Sequence, residues 1–306
     1  MLHFSTATLA KKRWVDKIVM DEDSPSADYN FGNIYIWDKH YSQLICRYED
    51  RMLTMLRRGG EVSFVFPIGS GDLRGAIEAL RQYAGRRGIP FSLRGVTEKH
   101  IEMLEREYPG CFEYTEDTDC ADYIYSIEKL STYAGKSMHA KRNFCNRFEA
   151  EHKWSFVPLT RELIPQCLDM LDVWTEENVE RLDKSIHFEH DAIIRAFAAY
   201  EELALEGGVL FADGALVGFT VGEPCCRNTY DVHFEKALGE MPGAYPMVCR
   251  EFARMLKEKH PELEYLNRED DMGLEPLRQS KLSYKPEYIL RKYTARWKDG
   301  QESGHE

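Results

Sequence analysis

The segment Thr229–Glu235 reads TYDVHFE, with three ionisable residues at every second position. In an extended strand successive side chains point to opposite faces. This spacing places Asp231, His233 and Glu235 on one face and Tyr230, Val232 and Phe234 on the other. A histidine flanked by carboxylates is suited to general-base chemistry, because its neighbours can set its proton affinity near neutral pH. The same pattern also fits a solvated sheet face with no chemistry.

Directly after this strand comes GEMPGAYP, which leads into a helical pattern. The start of a helix exposes unpaired N–H groups and the positive end of the helix dipole. Gly243 and Ala244 carry little side chain, so with Tyr245 they form a candidate donor-binding loop for a pyrophosphate. A plain tight turn is the competing reading. A second polar stretch, Asn267–Pro286, reads NREDDMGLEPLRQSKLSYKP. Its residues Asn267, Arg268 and Glu269 follow a strand and are expected to line a ligand cleft. Lys281 and Tyr284 lie three apart, share one face of a turn, and are candidates to hold a carboxylate or phosphate or to stabilise an oxyanion. The basic segment GKSMHAKRNFCNRFEAEH offers Lys136, Lys141 and Arg142 to phosphates, or else forms an exposed amphipathic helix with Phe144 and Phe148 buried.

Other patterns exclude chemistry. Gly69-Ser70-Gly71-Asp72 lacks the Gly-Lys-Ser/Thr of a phosphate-cradling P-loop, so Asp72 reads as a helix cap. His187 and His190 have no further ligands near them in sequence, and no metal is expected there. The cysteines, eight in all, contain no CxxC pair.

The elements that must position these residues follow from periodicity. Short apolar runs at Asn33–Trp37, Ser42–Tyr48, Arg51–Arg57 and Glu61–Gly69 predict strands. A helix with Leu73, Ala76, Ile77, Leu80 and Ala84 on one face follows. Strands are then predicted at Ile89–Gly95 and Asp122–Ile127, with a helix between them from about Thr97. The basic helix spans about Ala134–His152, and further helices are expected at Pro165–Leu182 and His187–Glu206. A hairpin turning at Asp213-Gly214 precedes Thr229–Glu235. A helix with Val248, Phe252, Met255 and Leu256 on one face comes next, then strands at Glu262–Asn267 and near Glu287–Tyr293. The tail KDGQESGHE is expected to be disordered. The two halves repeat one order of elements, which predicts similar α/β domains at 1–152 and 153–306, with the boundary near Glu151–Trp154.

A chain of 306 residues with 43% hydrophobic and 30% charged residues can bury one large core or two ordinary ones. A net charge of -12 is the opposite of a wholesale nucleic-acid binder, and DNA is not an expected partner. The N-terminus lacks the apolar stretch of a signal peptide, and no run is long enough for a membrane-spanning helix. These features predict a cytoplasmic protein with free thiols.

The segments YAGKSMHAKRNFCNRF, GALVGFTVGE, HFEKALGEMPGAYPMVCREFA and YLNREDDMGLEPLRQSKLSYKPEYILRKY, with FPIGSGD, resemble a bacterial family related to the C-terminal domain of phosphatidylglycerol lysyltransferases. The resemblance runs roughly from Asn33 to Tyr293. It implies two tandem GNAT-like acyl-CoA N-acyltransferase domains with mixed sheets, as in Fem-type aminoacyl-tRNA-dependent transferases. It also implies that the last strand can cross to the first domain. Pro242-Gly243-Ala244-Tyr245 stands where true acetyltransferases carry Arg/Gln-x-x-Gly-x-Gly/Ala, and departs from that form.

Residues and resemblance together predict an acyl- or aminoacyltransferase. Acyl-CoA or aminoacyl-tRNA serves as donor, an amine or hydroxyl as acceptor, and no cofactor is tightly bound. Asp231, His233 or Glu235 is the expected base, with Lys281 and Tyr284 beside it. Gly243–Tyr245 and Asn267–Glu269 hold the donor, and Lys136, Lys141 and Arg142 meet tRNA phosphates. The alternative is a non-catalytic module that binds a small anion or a partner on the same fold.

Overall fold

The structure is a computed structural model that describes residues 2–58, 60–178 and 185–298. Its strands and helices begin with β1 (Ser5–Thr6), α1 (Lys12–Glu22), α2 (Phe31–Ile36), α3 (Asp38–Tyr41), β2 (Leu44–Tyr48), β3 (Arg51–Arg58) and β4 (Glu61–Gly69). They continue with α4 (Leu73–Gly85), β5 (Ser92–Val96), α5 (Glu98–Glu107), β6 (Phe112–Glu116), β7 (Asp122–Ser126), α6 (Ile127–Thr132), α7 (His139–Glu151) and β8 (Trp154–Pro158). The rest are α8 (Ile164–Asn178), α9 (Ser185–Ala198), β9 (Glu206–Ala212), β10 (Ala215–Cys226), β11 (Thr229–Ala237), α10 (Ala244–Lys259), β12 (Tyr265–Asn267), α11 (Glu275–Ser283), β13 (Tyr288–Leu290) and β14 (Tyr293–Trp297).

Contacts divide the chain into two units: residues 1–122 with 270–274 and 289–306, and residues 123–269 with 275–288. In the first unit the sheet order is β1-β2-β3-β4-β5-β14-β6. β4 and β5 are parallel, joined by the crossover helix α4, and β14 is antiparallel to both β5 and β6. Leu73, Ala76, Ile77, Leu80 and Ala84 form the buried stripe of α4, at the spacing one helix face requires. Asp72 occupies the N-cap position of α4, although its side chain makes no capping hydrogen bond.

The second sheet has the order β13-β7-β12-β11-β10-β9-β8. β11 and β12 are parallel through the crossover helix α10, and β7 is antiparallel to β12. β7 thus stands to β12 as β14 stands to β5 in the first unit. The core of this second unit forms between the sheet and α10, with Tyr125, Tyr133, Phe148, Tyr230, Val248, Phe252 and Leu256 fully buried.

Several expectations change. Residues 123–152, placed in the first domain from sequence, belong to the second unit, because β7 pairs with β12 and α6 packs on α10. The compositional break near 151–154 is only the loop from α7 into β8. Asn33–Trp37 is helical rather than a strand: Asn30 sits in extended conformation and its carbonyl accepts the Ile34 N–H at 3.0 Å, which opens a helical turn. A short apolar run supports either reading. The polar opening contains α1, and β6 and β8 join their sheets without a sequence signal that marked them. The helix predicted to Leu182 is described to Asn178, and the tail from residue 299 lies outside the described residues. No helix among the described residues is long and apolar enough to cross a membrane.

Candidate functional site

β11 does not alternate regularly. Val221 of β10 faces Phe234, but the next residue, Gly222, faces Val232, so His233 is the extra residue of a β-bulge. Gly222 permits it: a Cβ there would lie 1.9 Å from the Asp231 carbonyl oxygen. The bulge advances the alternation by one residue. Tyr230, Val232 and Ala237 pack into the core with α10, and Glu235 comes to that face. Asp231 and His233 stay on the opposite face, with Lys236, whose ammonium sits 3.8 Å from the Trp174 ring centre. The expectation that Asp231, His233 and Glu235 share one face is therefore corrected. These residues are also not solvated: Asp231 is 0% and His233 6% exposed.

The exit of β12 serves both faces. Asn267 is fully buried, and its Oδ1 accepts the main-chain N–H of Glu269 at 2.7 Å. That turn holds Glu269 at a left-handed φ of 55°, which a non-glycine residue keeps only where its surroundings dictate it. Lys281 Nζ donates to the main-chain carbonyls of Arg268 and Glu269 and clamps the same turn. Arg268 and Glu269, adjacent in sequence, then point to opposite faces.

On the core side, Arg268 Nη2 donates to Glu235 Oε1 at 2.8 Å. Their side chains are 14% and 9% exposed. The guanidinium lies 4.5 Å from the Tyr284 ring centre, and Lys141 Nζ lies 3.6 Å from the same centre. Arg268 Nη1 is buried and makes no hydrogen bond to any described residue. Burial raises the proton affinity of Glu235 against the opposing charges of Arg268, Lys281 and Lys141. Burial, then the Arg268 charge, brings Lys141 down to about 8. Arg268 stays charged: burial acts against its charge, but the Glu235 carboxylate outweighs it. Tyr284 is buried, and desolvation pushes its phenol well above the ordinary range. Sequence reasoning gave Lys141 to tRNA phosphates. The structure seats it half-buried against Tyr284.

On the other face, His233 is surrounded by carboxylates. Its Nε2 lies 3.2 Å from Glu223 Oε1, and its Nδ1 lies 3.0 Å from Glu269 Oε1 and 3.5 Å from Asp231 Oδ2. Burial opposes the imidazolium, but Asp231, Glu223 and Glu269 outweigh it and raise His233 well above the usual histidine value. Glu223 escaped sequence reasoning. The signal for it was the hairpin register, which places Glu223 opposite Asp231.

The remaining candidates lie apart from this cluster in role. Gly243 has a φ of 99°, and a Cβ on it would lie 2.6 Å from the Phe144 carbonyl oxygen of α7. Ala244 is fully buried, and the Tyr245 hydroxyl accepts the Trp174 Nε1–H at 2.8 Å. The side of Gly243 where a Cβ would stand is taken by Phe144 and Phe148 of α7. Arg142 donates to the main-chain carbonyls of Tyr133 and Gly135, and Lys136 is exposed. On α7, Phe148 is buried with Cys145, whereas Phe144 is 45% exposed rather than part of the buried face.

Two mixed sheets, each with a parallel pair around a crossover helix, define the tandem GNAT-like acyltransferase fold, shared with a tandem GNAT protein of the clavulanic acid biosynthesis pathway and with FemX. The chain belongs to the family described as phosphatidylglycerol lysyltransferase, C-terminal, whose family model matches residues 22–296. A solved conserved protein of unknown function from Bacteroides thetaiotaomicron is 35% identical, covers 97% of this chain and 100% of its own, and superposes with a TM-score of 0.92. The C-terminal domain of a putative lysylphosphatidylglycerol synthetase from Agrobacterium fabrum is 13% identical and shares the fold, with a TM-score of 0.68 over 95% of this chain and 93% of that one. An uncharacterized protein of Mycoplasmoides gallisepticum, MYCGA3080, is 27% identical over 200 residues, 65% of this chain. The match spans 62% of that curated relative's length.

Proposed function

We propose that the chain transfers an aminoacyl group from an aminoacyl-tRNA to an amine or hydroxyl acceptor, with the reacting carbonyl held at Arg268. One observation carries this reading: Arg268 is locked by Glu235 through Nη2, while Nη1 is buried with no acceptor among the described residues. A buried donor without an acceptor costs about 1–3 kcal/mol, so a ligand oxygen that satisfies it binds there with advantage. A carbonyl that becomes an oxyanion gains more, because the fixed guanidinium needs no reorganisation as charge develops.

In this reading the acceptor nitrogen or oxygen attacks the ester carbon, and negative charge grows on the oxygen facing Arg268. Glu235, its proton affinity raised by burial, takes the acceptor proton directly or through water. The bond from carbon to the tRNA 3′ oxygen then breaks, and Glu235 returns the proton, directly or through water, to that oxygen, which leaves as a hydroxyl. Lys281 acts by holding the Arg268–Glu269 turn, and Tyr284 by stacking on the guanidinium. Asn267 and Glu269 position Arg268 through the same turn. Lys136, which is exposed, offers a cation to the terminal phosphates, a contact that weakens as salt rises.

The family's name, phosphatidylglycerol lysyltransferase, supports an aminoacyl donor. The filled space at Gly243 supports it over coenzyme A. Thermal shift with aminoacyl-tRNA, uncharged tRNA and acetyl-CoA tests the choice, since a ligand selective for the native state raises its apparent stability. Stabilisation by the charged tRNA above the uncharged one supports the reading. Stabilisation by acetyl-CoA alone contradicts it.

A further inference from the structure

We propose that Asp231, His233 and Glu269 form a binding site for one divalent first-row metal ion, of the Zn2+ or Mn2+ class, on the face of β11 away from Arg268. The three offer one imidazole nitrogen and two carboxylate oxygens, all within 4.8 Å of one another. His233 Nδ1 lies 3.0 Å from Glu269 Oε1 and 3.5 Å from Asp231 Oδ2. Metal–ligand bonds to N and O are about 2.0–2.2 Å, so neighbouring ligands lie about 3.0 Å apart in an octahedron and about 3.4 Å in a tetrahedron. The two separations from His233 Nδ1 are close to the edges of such a polyhedron.

The cluster is more than a set of acids. The imidazole stands between them, and its far nitrogen, Nε2, is 3.2 Å from the Glu223 carboxylate. A ligating histidine nearly always donates its other N–H to an oxygen, often a carboxylate, which fixes the ring and strengthens the ligand. Glu223 fills that role from β10, with its side chain 6% exposed. The imidazole is 0% exposed and Asp231 0%, whereas Glu269 is 21% exposed and leaves an entry on its side. One imidazole with two carboxylates favours Zn2+ or Mn2+ over Ca2+, which takes six to eight oxygens. Three protein ligands leave further positions open. The bulge at His233 places this site opposite the Arg268–Glu235 pair, and although Glu269 shares the turn that holds Arg268, metal binding is measured without the transfer reaction.

The test uses the full chain stripped with a chelator, then titrated with Zn2+, Mn2+, Mg2+ or Ca2+ alone by calorimetry, with Mn2+ followed by electron paramagnetic resonance. The expected result is one Zn2+ or Mn2+ per chain and no saturable Ca2+ binding. Glu269→Gln, at the most exposed ligand, weakens binding at least tenfold while its circular dichroism and melting stay close to wild type. Glu223→Gln weakens it tenfold to a hundredfold through the histidine. No saturable binding to the wild type overturns the site. Equal affinity in the wild type, Glu269→Gln and Glu223→Gln overturns it as well, since the ion then sits elsewhere.

Discussion

Arg268 Nη2 meets Glu235 Oε1 at 2.8 Å, and the pair is nearly closed to solvent on the core side of β11. Removing one member leaves the other charge buried without its partner, a loss of roughly 3–5 kcal/mol. Arg268→Met and Glu235→Gln are each expected to destabilise the second unit, the former by about 3 kcal/mol. The double variant is expected to recover most of that loss, because no unpaired charge remains. Urea denaturation of the four proteins, read as a double-mutant cycle, checks the coupling.

The bulge that separates the two faces depends on Gly222. Its added Cβ would lie 1.9 Å from a backbone oxygen and 2.8 Å from the Tyr230 ring, and backbone cannot swing aside as a side-chain tip can. Gly222→Ala is expected to cost about 3 kcal/mol or more. Gly239→Ala, with nothing within 4 Å of the new Cβ, is the control and is expected to stay within about 0.5 kcal/mol of wild type. Thermal melts of the two variants distinguish the cases.

Lys141 gives a pH signature. Its folded value of about 8 lies below the ordinary 10.5, because burial and then Arg268 disfavour its charge. Between those values the unfolded chain holds the proton that the folded chain has released. Stability contributed by this residue therefore rises as pH climbs from about 8 towards 10.5, and the charged form is penalised below that window. Amine modification of Lys141, mapped by mass spectrometry, is expected to be half-maximal near pH 8. Glu235→Gln is expected to shift that midpoint lower, since the Glu235 charge supports the ammonium.

Much of this was legible in the chain. The apolar stripes of α4 and α10 follow helical spacing, and the alternation around Asp231 marked a strand of chemical interest. The importance of Asn267, Arg268 and Glu269 followed from polar density at a strand end. What periodicity does not carry is an insertion of one residue into a strand. The bulge at His233 moved Glu235 to the other face, and its only sequence trace is Gly222 on the neighbouring strand. Likewise Gly243 looked like room for a ligand, whereas the room is taken by the Phe144 carbonyl, a contact between segments about 100 residues apart. The reach of the second unit back to residue 123 arises from β7 pairing with β12, a long-range pairing with no local signature.

Aminoacyl transfer at Arg268 is tested most directly by turnover. Full-length protein is incubated with labelled aminoacyl-tRNAs and a panel of acceptors, phosphatidylglycerol vesicles, free amines and amino acids, and loss of the ester is followed. The wild type is expected to consume one charged tRNA well above its spontaneous hydrolysis when the right acceptor is present. Arg268→Lys keeps a charge for Glu235 but lacks the second donor arm, and is expected to be slower by about 100-fold. Consumption of no charged tRNA with any acceptor, or an Arg268→Lys rate equal to wild type, would contradict the assignment.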